Sequence, residues 1–247
     1  MAGLKPLIIT ARLQQGLSWD PRYGIALDGL LNSLIRASEA SKEGILAGSL
    51  LDGGLDLENP KEWDLPLAKC EIAGEAEWHW MATVGQPLGL KDSELPSAPL
   101  DAHRLMVKLD ERRAESIAVA LPKNVGGPRG RYRTRVTPVL VTVASSIQWH
   151  AVGDAEMILD ILSPVFTIGA RRGSGEGKVE SWHVQEIEVS DYSRFGHTHP
   201  NGKLGRAVPK SCALALGLDT SNQGYAGLRP PMFHKTRQKL LVLPDME

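Results

Sequence analysis

A glycine-rich loop in the second half of this 247-residue chain carries the residues best suited to hold an anion. The stretch IGARRGSGEGKVESW, residues 168–182, sets four glycines and three basic side chains between two apolar runs. Glycine lets backbone N–H groups approach an anion closely, and Arg171, Arg172 and Lys178 supply positive charge around it. The pattern therefore favours phosphate binding, and a glycine-rich β-turn with a solvated basic edge is the alternative.

The loop matches neither of the two standard phosphate-loop patterns of nucleotide-binding proteins. A Walker loop ending at Gly177 and Lys178 requires glycine at the position of Arg172 and Ser or Thr at that of Val179. The dinucleotide pattern, started at Gly173, requires glycine at the position of Lys178. The sequence thus indicates a phosphate-binding loop of another kind.

Two basic stretches without acidic residues lie elsewhere in the chain. The run KNVGGPRGRYRTR, residues 123–135, carries five basic residues and an interleaved tyrosine, and a second stretch lies near the C-terminus. Acidic residues instead concentrate in the first half, so acidic and basic residues are separated along the chain although the formal net charge is only −1. This separation predicts a basic face that can contact phosphates. A solvated loop is the alternative for each stretch. The residues are Lys123, Arg129, Arg131, Tyr132, Arg133 and Arg135 in the first stretch and Arg229, His234, Lys235, Arg237 and Lys239 in the second.

The cysteines and histidines show no metal-ligand spacing. Cys70 and Cys212 are far apart in the sequence and form no CxxC pair, which indicates a reducing compartment and neither a disulfide framework nor a thiolate metal site. His197 and His199 would point the same way from an extended segment, but without a nearby cysteine or carboxylate they favour a surface loop over zinc. We therefore expect no metal and no other cofactor. A serine hydrolase is disfavoured because no Gly-x-Ser-x-Gly elbow occurs.

The composition is that of a soluble globular protein. With 42% hydrophobic residues, the chain can bury a core as one large domain. No apolar run approaches the roughly 20 residues that cross a bilayer, and we recognise no targeting segment at the N-terminus. The sequence therefore predicts a cytoplasmic protein with no membrane partner.

Hydrophobic periodicity in the first half predicts the elements that support the loop. Alternating apolar residues at 7–13 indicate a half-buried strand, and leucines and isoleucine at 27–35 fall on one helical face. Residues 41–67 are predicted to be mainly loop. A second strand is predicted around 75–82, where tryptophan and alanine alternate with other residues, and loop follows at 85–100.

The second half predicts two more strands and a helix. An extended insertion starting near 103 leads into a strand that ends near 150, where β-branched residues are dense. A helix begins after Gly153 and ends at Pro164, with a predicted buried stripe of Met157, Ile158, Ile161 and Leu162. A final strand covers 178–189.

These elements predict an α+β, ferredoxin-like (RRM-like) βαββαβ fold. The glycine loop would then connect the second helix to the last strand at one end of the sheet, where an extended anion can lie across N–H groups. Two separated basic elements and a flat sheet suit a strand of RNA better than a single compact phosphate.

Four stretches together resemble the RAMP superfamily of CRISPR-associated proteins. Residues 147–184, IQWHAVGDAEMILDILSPVFTIGARRGSGEGKVESWHV, are similar to the signature of that superfamily, a glycine-rich loop after the second helix of a ferredoxin-like fold. LDGLL at 27–31, RGRYRTRVTPVL at 129–140 and LRPPMFHKTRQKLLVLP at 228–244 narrow the resemblance to a type IV effector subunit. This subunit belongs to the branch that binds the five-prime handle of the crRNA, and the resemblance covers nearly the whole chain.

The resemblance implies a noncatalytic RNA-binding subunit that grips the repeat-derived five-prime handle and caps the backbone filament. Its partners would be the crRNA, the backbone and other subunits of the effector complex, and target DNA indirectly. It implies one RAMP domain over 1–247 with a basic thumb-like insertion at about 100–138, in which Tyr132 stacks on a base or, alternatively, packs against the sheet. In the glycine loop the implied RNA-binding residues are Arg171, Arg172, Gly173, Ser174, Gly175, Gly177 and Lys178.

Two other functions stay open. Some relatives in the superfamily process precursor crRNA as metal-independent endoribonucleases, and this chain has histidines, with Tyr132, Lys178 or Lys210 to stabilise charge. No spacing selects a catalytic pair, and His150 and His183 lie in predicted strands where a structural histidine is commoner. The other alternative is a protein-bridging subunit in which some of the six tryptophans line subunit contacts. The histidines considered are His79, His103, His150, His183, His197 and His199.

Overall fold

The computed structural model describes residues 3–14, 16–19, 24–42, 60–89, 100–108, 135–170, 172 and 175–244, with backbone alone at 40, 100–108 and 135–140. Within these ranges the chain is a mixed α and β protein with antiparallel sheets and few helices, which confirms the predicted α+β class. The elements are β1 (Lys5–Leu13), α1 (Leu27–Lys42), β2 (Lys69–Cys70), β3 (His79–Trp80), β4 (Gln86–Leu88), β5 (Leu100–Lys108), β6 (Arg135–Val143), β7 (Ser146–Gly153), α2 (Ala155–Leu162), β8 (Val179–Glu186), α3 (Tyr192–Phe195), α4 (Lys210–Ala215), β9 (Gln223–Gly227) and β10 (Gln238–Val242), with short 3-10 helices at Glu75–Glu77 and Lys235–Arg237.

A four-stranded antiparallel sheet, in the order β4, β7, β1, β8, forms the centre of the described structure. β1 takes an inner position because its alternate side chains are apolar, and Leu7, Ile9 and Ala11 are fully buried. Ile9 pairs with Trp149 of β7 on one side and Val184 of β8 on the other. Burial of each large apolar side chain contributes about 1.5–3 kcal/mol, so this strand anchors the main core.

Helices α1 and α2 pack in the same core as β1. α2 begins where the sequence predicted, because the Asp154 side chain caps it by accepting a hydrogen bond from the Met157 N–H at 3.0 Å. Ile158 and Leu162 are buried as predicted. The predicted stripe is wrong at Met157, whose side chain is 55% exposed. Ile158 and Leu162 are four residues apart and lie on the buried face of this eight-residue helix, and Met157 points away from that face.

The predictions for residues 75–100 are partly wrong. Alternating residues predicted a strand at 75–82, but the structure has a 3-10 turn at Glu75–Glu77 and only the two-residue strand β3. His79, Trp80 and the next residues are buried consecutively, so the alternation in residue type does not correspond to alternate faces. β4 lies in the segment predicted to be loop, and it pairs with β7 at the sheet edge.

Strands β5 and β6 form a separate antiparallel hairpin whose register runs from Leu100 opposite Val143 to Lys108 opposite Arg135. The two strands lie at the two ends of the segment, about 100–138, in which the sequence predicted a thumb-like insertion. Residues 109–134, which include most of the first basic stretch, lie outside the described residues.

A second, smaller core connects the chain after β8 to β2, β3 and β7. It joins Cys70, Met81 and Val152 to Val208 and Val242, among others. The hairpin of β9 and β10 reaches this core through β10, since Val208 and Val242 exchange backbone hydrogen bonds of 3.1 and 2.9 Å. Among the described helices, none is long and apolar enough to span a membrane.

Candidate functional site

The glycine-rich loop connects α2 to β8, as predicted, and two close backbone crossings fix its path. Gly177 has a φ of 67°, and a Cβ atom there would lie 1.9 Å from the carbonyl oxygen of Ile168. Gly169 has a φ of 80°, and a Cβ atom there would lie 2.7 Å from the carbonyl oxygen of Ser18. Only glycine fits both positions, so these residues shape the loop.

The N–H groups of Gly175 and Gly177, the two described glycines nearest the tip of the loop, donate hydrogen bonds to backbone carbonyls of the protein. The Gly175 N–H donates to the Arg172 carbonyl at 3.0 Å, and the Gly177 N–H donates to the Gly16 carbonyl at 2.9 Å. These two N–H groups therefore hold the loop together and are not available to an anion. Arg172 and Lys178, both exposed, are the cationic side chains of the described part of the loop.

Residues 16–19 connect the glycine loop to the β5–β6 hairpin. Leu17 and Thr142 of β6 exchange two backbone hydrogen bonds of 2.8 Å, and the Ser18 carbonyl accepts a hydrogen bond of 2.7 Å from Ala170. Trp19 strengthens the junction, because its Nε1 donates to Thr142 Oγ1 at 3.1 Å. The C-terminal end of β6 and the glycine loop thus lie on either side of one short segment.

A cavity of about 600 Å³ opens beside the glycine loop. Gly169 and Arg172 contribute to its lining from the loop, and the β9–β10 hairpin contributes Tyr225 and Gln238. Tyr225 is 78% exposed. The volume lies in the range typical of small-ligand sites. An arginine and an exposed aromatic ring around one cavity offer both a phosphate partner and a surface on which a base can stack.

A buried ion pair supports the inner wall of this cavity. Arg206 lies 3.4 Å from Asp28 at the start of α1, and it donates hydrogen bonds of 3.0 Å to the carbonyls of Ala82 and Leu228 and another to Trp80. Burial raises the pKa of Asp28 above its usual range, although the adjacent guanidinium acts in the opposite direction. Because backbone carbonyls and the Asp28 carboxylate already bind the guanidinium group, we assign Arg206 a structural role.

Three cations of the C-terminal basic stretch form ion pairs with acids distant in the sequence. Arg229 and Arg237 both pair with Glu62, at 3.0 and 2.6 Å, and Lys239 pairs with Glu77 at 3.0 Å. Burial alone would raise the pKa of Glu62, but the two guanidinium groups hold it below its usual range. The prediction of a second basic surface is therefore wrong for Arg229, Arg237 and Lys239.

Two cysteines and two histidines meet inside the second core. The side-chain nitrogen and sulfur atoms of Cys70, His79, His197 and Cys212 all lie within 4.8 Å of one another, and all four residues are buried. A hydrogen bond between the two thiols lowers the pKa of Cys70 and raises that of Cys212. Burial lowers the pKa of His79 to about 4. Two thiols and two imidazoles form a donor set that can hold a metal ion.

Comparison with protein families identifies the chain. The family model for the CRISPR type IV associated protein Csf3 matches residues 5–243. The chain belongs to this Csf3 family. Comparison with curated proteins gives no match. Membership places the chain among proteins associated with type IV CRISPR systems, which confirms the type IV assignment made from the sequence.

The RNA-binding residues predicted from the sequence are only partly described. Arg172, Gly175, Gly177 and Lys178 lie in the described part of the glycine loop, and Arg135 opens β6 with its backbone alone described. The remaining predicted residues lie outside the described ranges: Arg171, Gly173, Ser174, Lys123, Arg129, Arg131, Tyr132 and Arg133.

Sequence reasoning missed the cysteine and histidine cluster and the burial of His197. His197 has no exposed surface, so the predicted surface loop is wrong for this residue. Its neighbours are His79, Cys70 and Cys212, not His199. Cys70 and Cys212 are far apart in the sequence, but the fold brings their Sγ atoms to 3.8 Å from each other. Cys70 and His79 are paired across β2 and β3, but their spacing in the sequence matches no usual zinc motif and gave no signal of the site.

The six tryptophans all pack in or against the main core. Trp80 and Trp149 are buried, and Trp182 stacks on Trp149 with ring centroids 5.8 Å apart. This favours the core role that tryptophan usually has over a role in subunit contacts.

Proposed function

We propose that this Csf3-family chain is the RNA-binding subunit of a type IV CRISPR effector ribonucleoprotein. It grips the repeat-derived five-prime handle of the crRNA, caps the backbone filament and contacts the neighbouring subunits, with target DNA reached indirectly. The family match supplies the type IV context. The observation that carries the RNA assignment is the cavity between Arg172 of the glycine loop and Tyr225 of the β9–β10 hairpin.

This cavity suits an unpaired nucleotide of a single strand. Arg172 can bind a phosphate with two N–H donors, and Tyr225 offers an exposed ring to a base. The tyrosine requires no induced change to be accessible, since its side chain is already 78% exposed. Base stacking and phosphate binding within one cavity are the two contacts that recognise a splayed-out nucleotide.

The hairpin of β5 and β6 extends this surface. The tether at residues 16–19 joins the base of the hairpin to the glycine loop through hydrogen bonds of 2.7 and 2.8 Å. An RNA strand that occupies the cavity can therefore continue along this hairpin, whose strands end at the cationic residues Lys108 and Arg135. We assign the thumb-like role to this hairpin, within a single RAMP domain.

The strand order supports a ferredoxin-like domain as the scaffold. Taking β1, α1, β4, β7, α2 and β8 as the six elements gives a βαββαβ succession, and the sheet order β4, β7, β1, β8 is the one that a split βαβ arrangement produces. β4 then supplies the second strand, which the sequence placed near 75–82.

The histidines support a noncatalytic role. His79 and His197 face each other in the second core, and the His150 Nδ1 lies 3.0 Å from the Thr198 carbonyl. Burial lowers the pKa of His199 to about 4, which removes it from the range useful for general acid catalysis near neutral pH. His183 is exposed beside Ser181, and it is the histidine to substitute first if RNA cleavage is found.

Fluorescence anisotropy with a labelled, repeat-derived RNA tests the proposal. Arg172→Ala removes one phosphate contact, so we expect weaker binding and a decrease of about 0.7 in the slope of log K against log salt concentration. Tyr225→Ala removes a stacking surface and is expected to weaken binding about 5- to 150-fold with little change in that slope.

Matched controls are Lys42→Ala and Tyr192→Ala. Lys42 is an exposed cation at the opposite end of α1 from the cavity, and Tyr192 is an exposed tyrosine on α3. Unchanged affinity in both Arg172→Ala and Tyr225→Ala would remove the cavity from the RNA site. RNA shortened to one fixed position in buffer without Mg²⁺ would instead make the chain a processing endoribonuclease.

A further inference from the structure

The cluster of Cys70, His79, His197 and Cys212 has the donor atoms and spacing of a tetrahedral metal site. Zinc bonds of about 2.3 Å to sulfur and about 2.0 Å to nitrogen place adjacent ligand atoms roughly 3.3–3.8 Å apart. The two Sγ atoms are 3.8 Å apart, the two Nε2 atoms 2.9 Å apart, and the Cys212 Sγ lies 3.9 and 4.0 Å from those nitrogens. Small shifts of the side chains would bring every pair into the zinc range.

The backbone around the cluster orients both imidazoles toward its centre. The Nδ1 of His79 lies 3.4 Å from the Glu77 carbonyl, and the Nδ1 of His197 is hydrogen-bonded to the Ser193 carbonyl. A carbonyl can only accept, so each Nδ1 carries the proton and each Nε2 presents its lone pair to the other. Such partners of the distal nitrogen are the usual outer shell of metal-binding histidines.

Two facing lone pairs in a buried site repel each other unless a cation lies between them. The surroundings offer little solvent, because the cluster sits in the second core with Met81, Val208 and Ala213. A metal ion would attract both nitrogens and both sulfurs and would remove this repulsion. Thiols are only weak hydrogen-bond donors, whereas coordination to one ion would satisfy all four ligand atoms at once.

We propose that these four residues bind one Zn²⁺ ion and that the site is structural. Two thiolates and two imidazoles in tetrahedral arrangement favour zinc among the common metals. Four protein ligands leave no position for water or substrate, which is the pattern of structural and not catalytic zinc. Binding releases the protons of the two thiols to solvent, leaving the ligands as two thiolates and two neutral imidazoles.

The ligands come from separate parts of the chain, which indicates what the ion would hold together. Cys70 and His79 are directly paired across β2 and β3, His197 follows α3, and Cys212 lies in α4. The ion would therefore fasten the chain after β8 to the body of the protein. The site is independent of the proposed RNA contacts, although it supports the part of the chain that carries Tyr225.

Metal analysis of the purified, reduced full-length chain tests this proposal. We expect about one zinc per chain by inductively coupled plasma mass spectrometry, and a loss of most of it in Cys212→Ser and in His79→Asn. His199→Gln is the matched control, because His199 lies two residues from a ligand and outside the cluster, and it should keep its zinc. Removal of zinc by a chelator should lower the Tm by at least about 5 °C.

Cobalt provides a readout that does not depend on the variants folding. The native chain, stripped and reloaded with Co²⁺, should show the strong visible bands of tetrahedral cobalt bound to thiolate. Zinc that persists in Cys212→Ser would overturn the assignment, as would a native chain that neither contains zinc nor takes up Zn²⁺ or Co²⁺. A mass lower by two hydrogen atoms, with unreactive thiols and no metal, would make the cysteines a disulfide and also overturn it.

Discussion

Gly175 and Gly177 lie two residues apart with similar φ angles, yet the space beside them differs. The φ angles are 88° and 67°, so an L-residue is strained at both positions. A Cβ atom at Gly175 would meet nothing within 4 Å, whereas one at Gly177 would lie 1.9 Å from the Ile168 carbonyl oxygen. At the scale of single residues, the loop therefore contains one glycine required by conformation alone and one required by conformation and packing.

The corresponding pair of alanine variants separates these two requirements. Gly175→Ala should cost about 1–2 kcal/mol of unfolding free energy, the usual penalty for a Cβ atom in the left-handed region. Gly177→Ala should cost more than about 3 kcal/mol, because the Ile168 backbone must also move and its hydrogen bond to the Gly177 carbonyl is disturbed. Urea unfolding measures both values. Equal costs would mean that the crossing of residues 168 and 177 is looser than described.

At the scale of secondary-structure elements, short strands depend on contacts with distant parts of the chain. β2 and β3 have two residues each, and they gain their position from contacts with the second core. The β5–β6 hairpin is different, because nine residues of each strand pair with each other and the hairpin meets the glycine loop through residues 16–19. The two strands can therefore keep their register through their own pairing.

Deletion of residues 109–134 tests the hairpin as an RNA-binding element. Lys108 and Arg135 are directly opposite in the register, so a short Asn-Gly turn can join them. We expect the Tm to stay within a few degrees and the RNA affinity to fall at least about tenfold, with a shallower salt dependence, because six cations and only three acids are removed. A deletion of the same residues that leaves RNA affinity unchanged would contradict the thumb-like role.

At the scale of the whole molecule, the described residues form two cores, and ion pairs join the first half of the chain to its C-terminal part. The main core holds the central sheet with α1 and α2, and the second core holds the cysteine and histidine cluster. Glu62 and Glu77, from the first half of the chain, pair with Arg229, Arg237 and Lys239 near the C-terminus. These pairs engage three cations of the C-terminal basic stretch, whereas Arg172 and Lys178 are exposed cations of the glycine loop.

Reconstitution with the other type IV subunits and a CRISPR array tests the function at this scale. We expect the native chain to protect the five-prime end of the crRNA from exonuclease, and Arg172→Ala combined with Tyr225→Ala to lose most of that protection while the protein subunits still assemble. Lys42→Ala is the control. Full protection in the double variant would favour a protein-bridging subunit, since the handle would then be held by other chains.

The sequence by itself determined the elements with strong local periodicity. It placed β1, α1, α2 and β8 correctly, because alternation at Leu7, Ile9 and Ala11 and the spacing of Ile158 and Leu162 report directly which face is buried. It also placed the glycine loop between α2 and β8, and the ordered set of motifs led to the type IV family.

The tertiary structure alone decided which distant residues meet. No sequence pattern near Cys70 or Cys212 indicates that they share a site. Likewise, no pattern around Glu62 indicates that Arg229 and Arg237 are its partners. The N–H groups of Gly175 and Gly177 could equally have faced an anion until their carbonyl partners were known. In each case the deciding contact joins residues through the fold, and a periodic pattern reports which face of an element is buried but not what packs against that face.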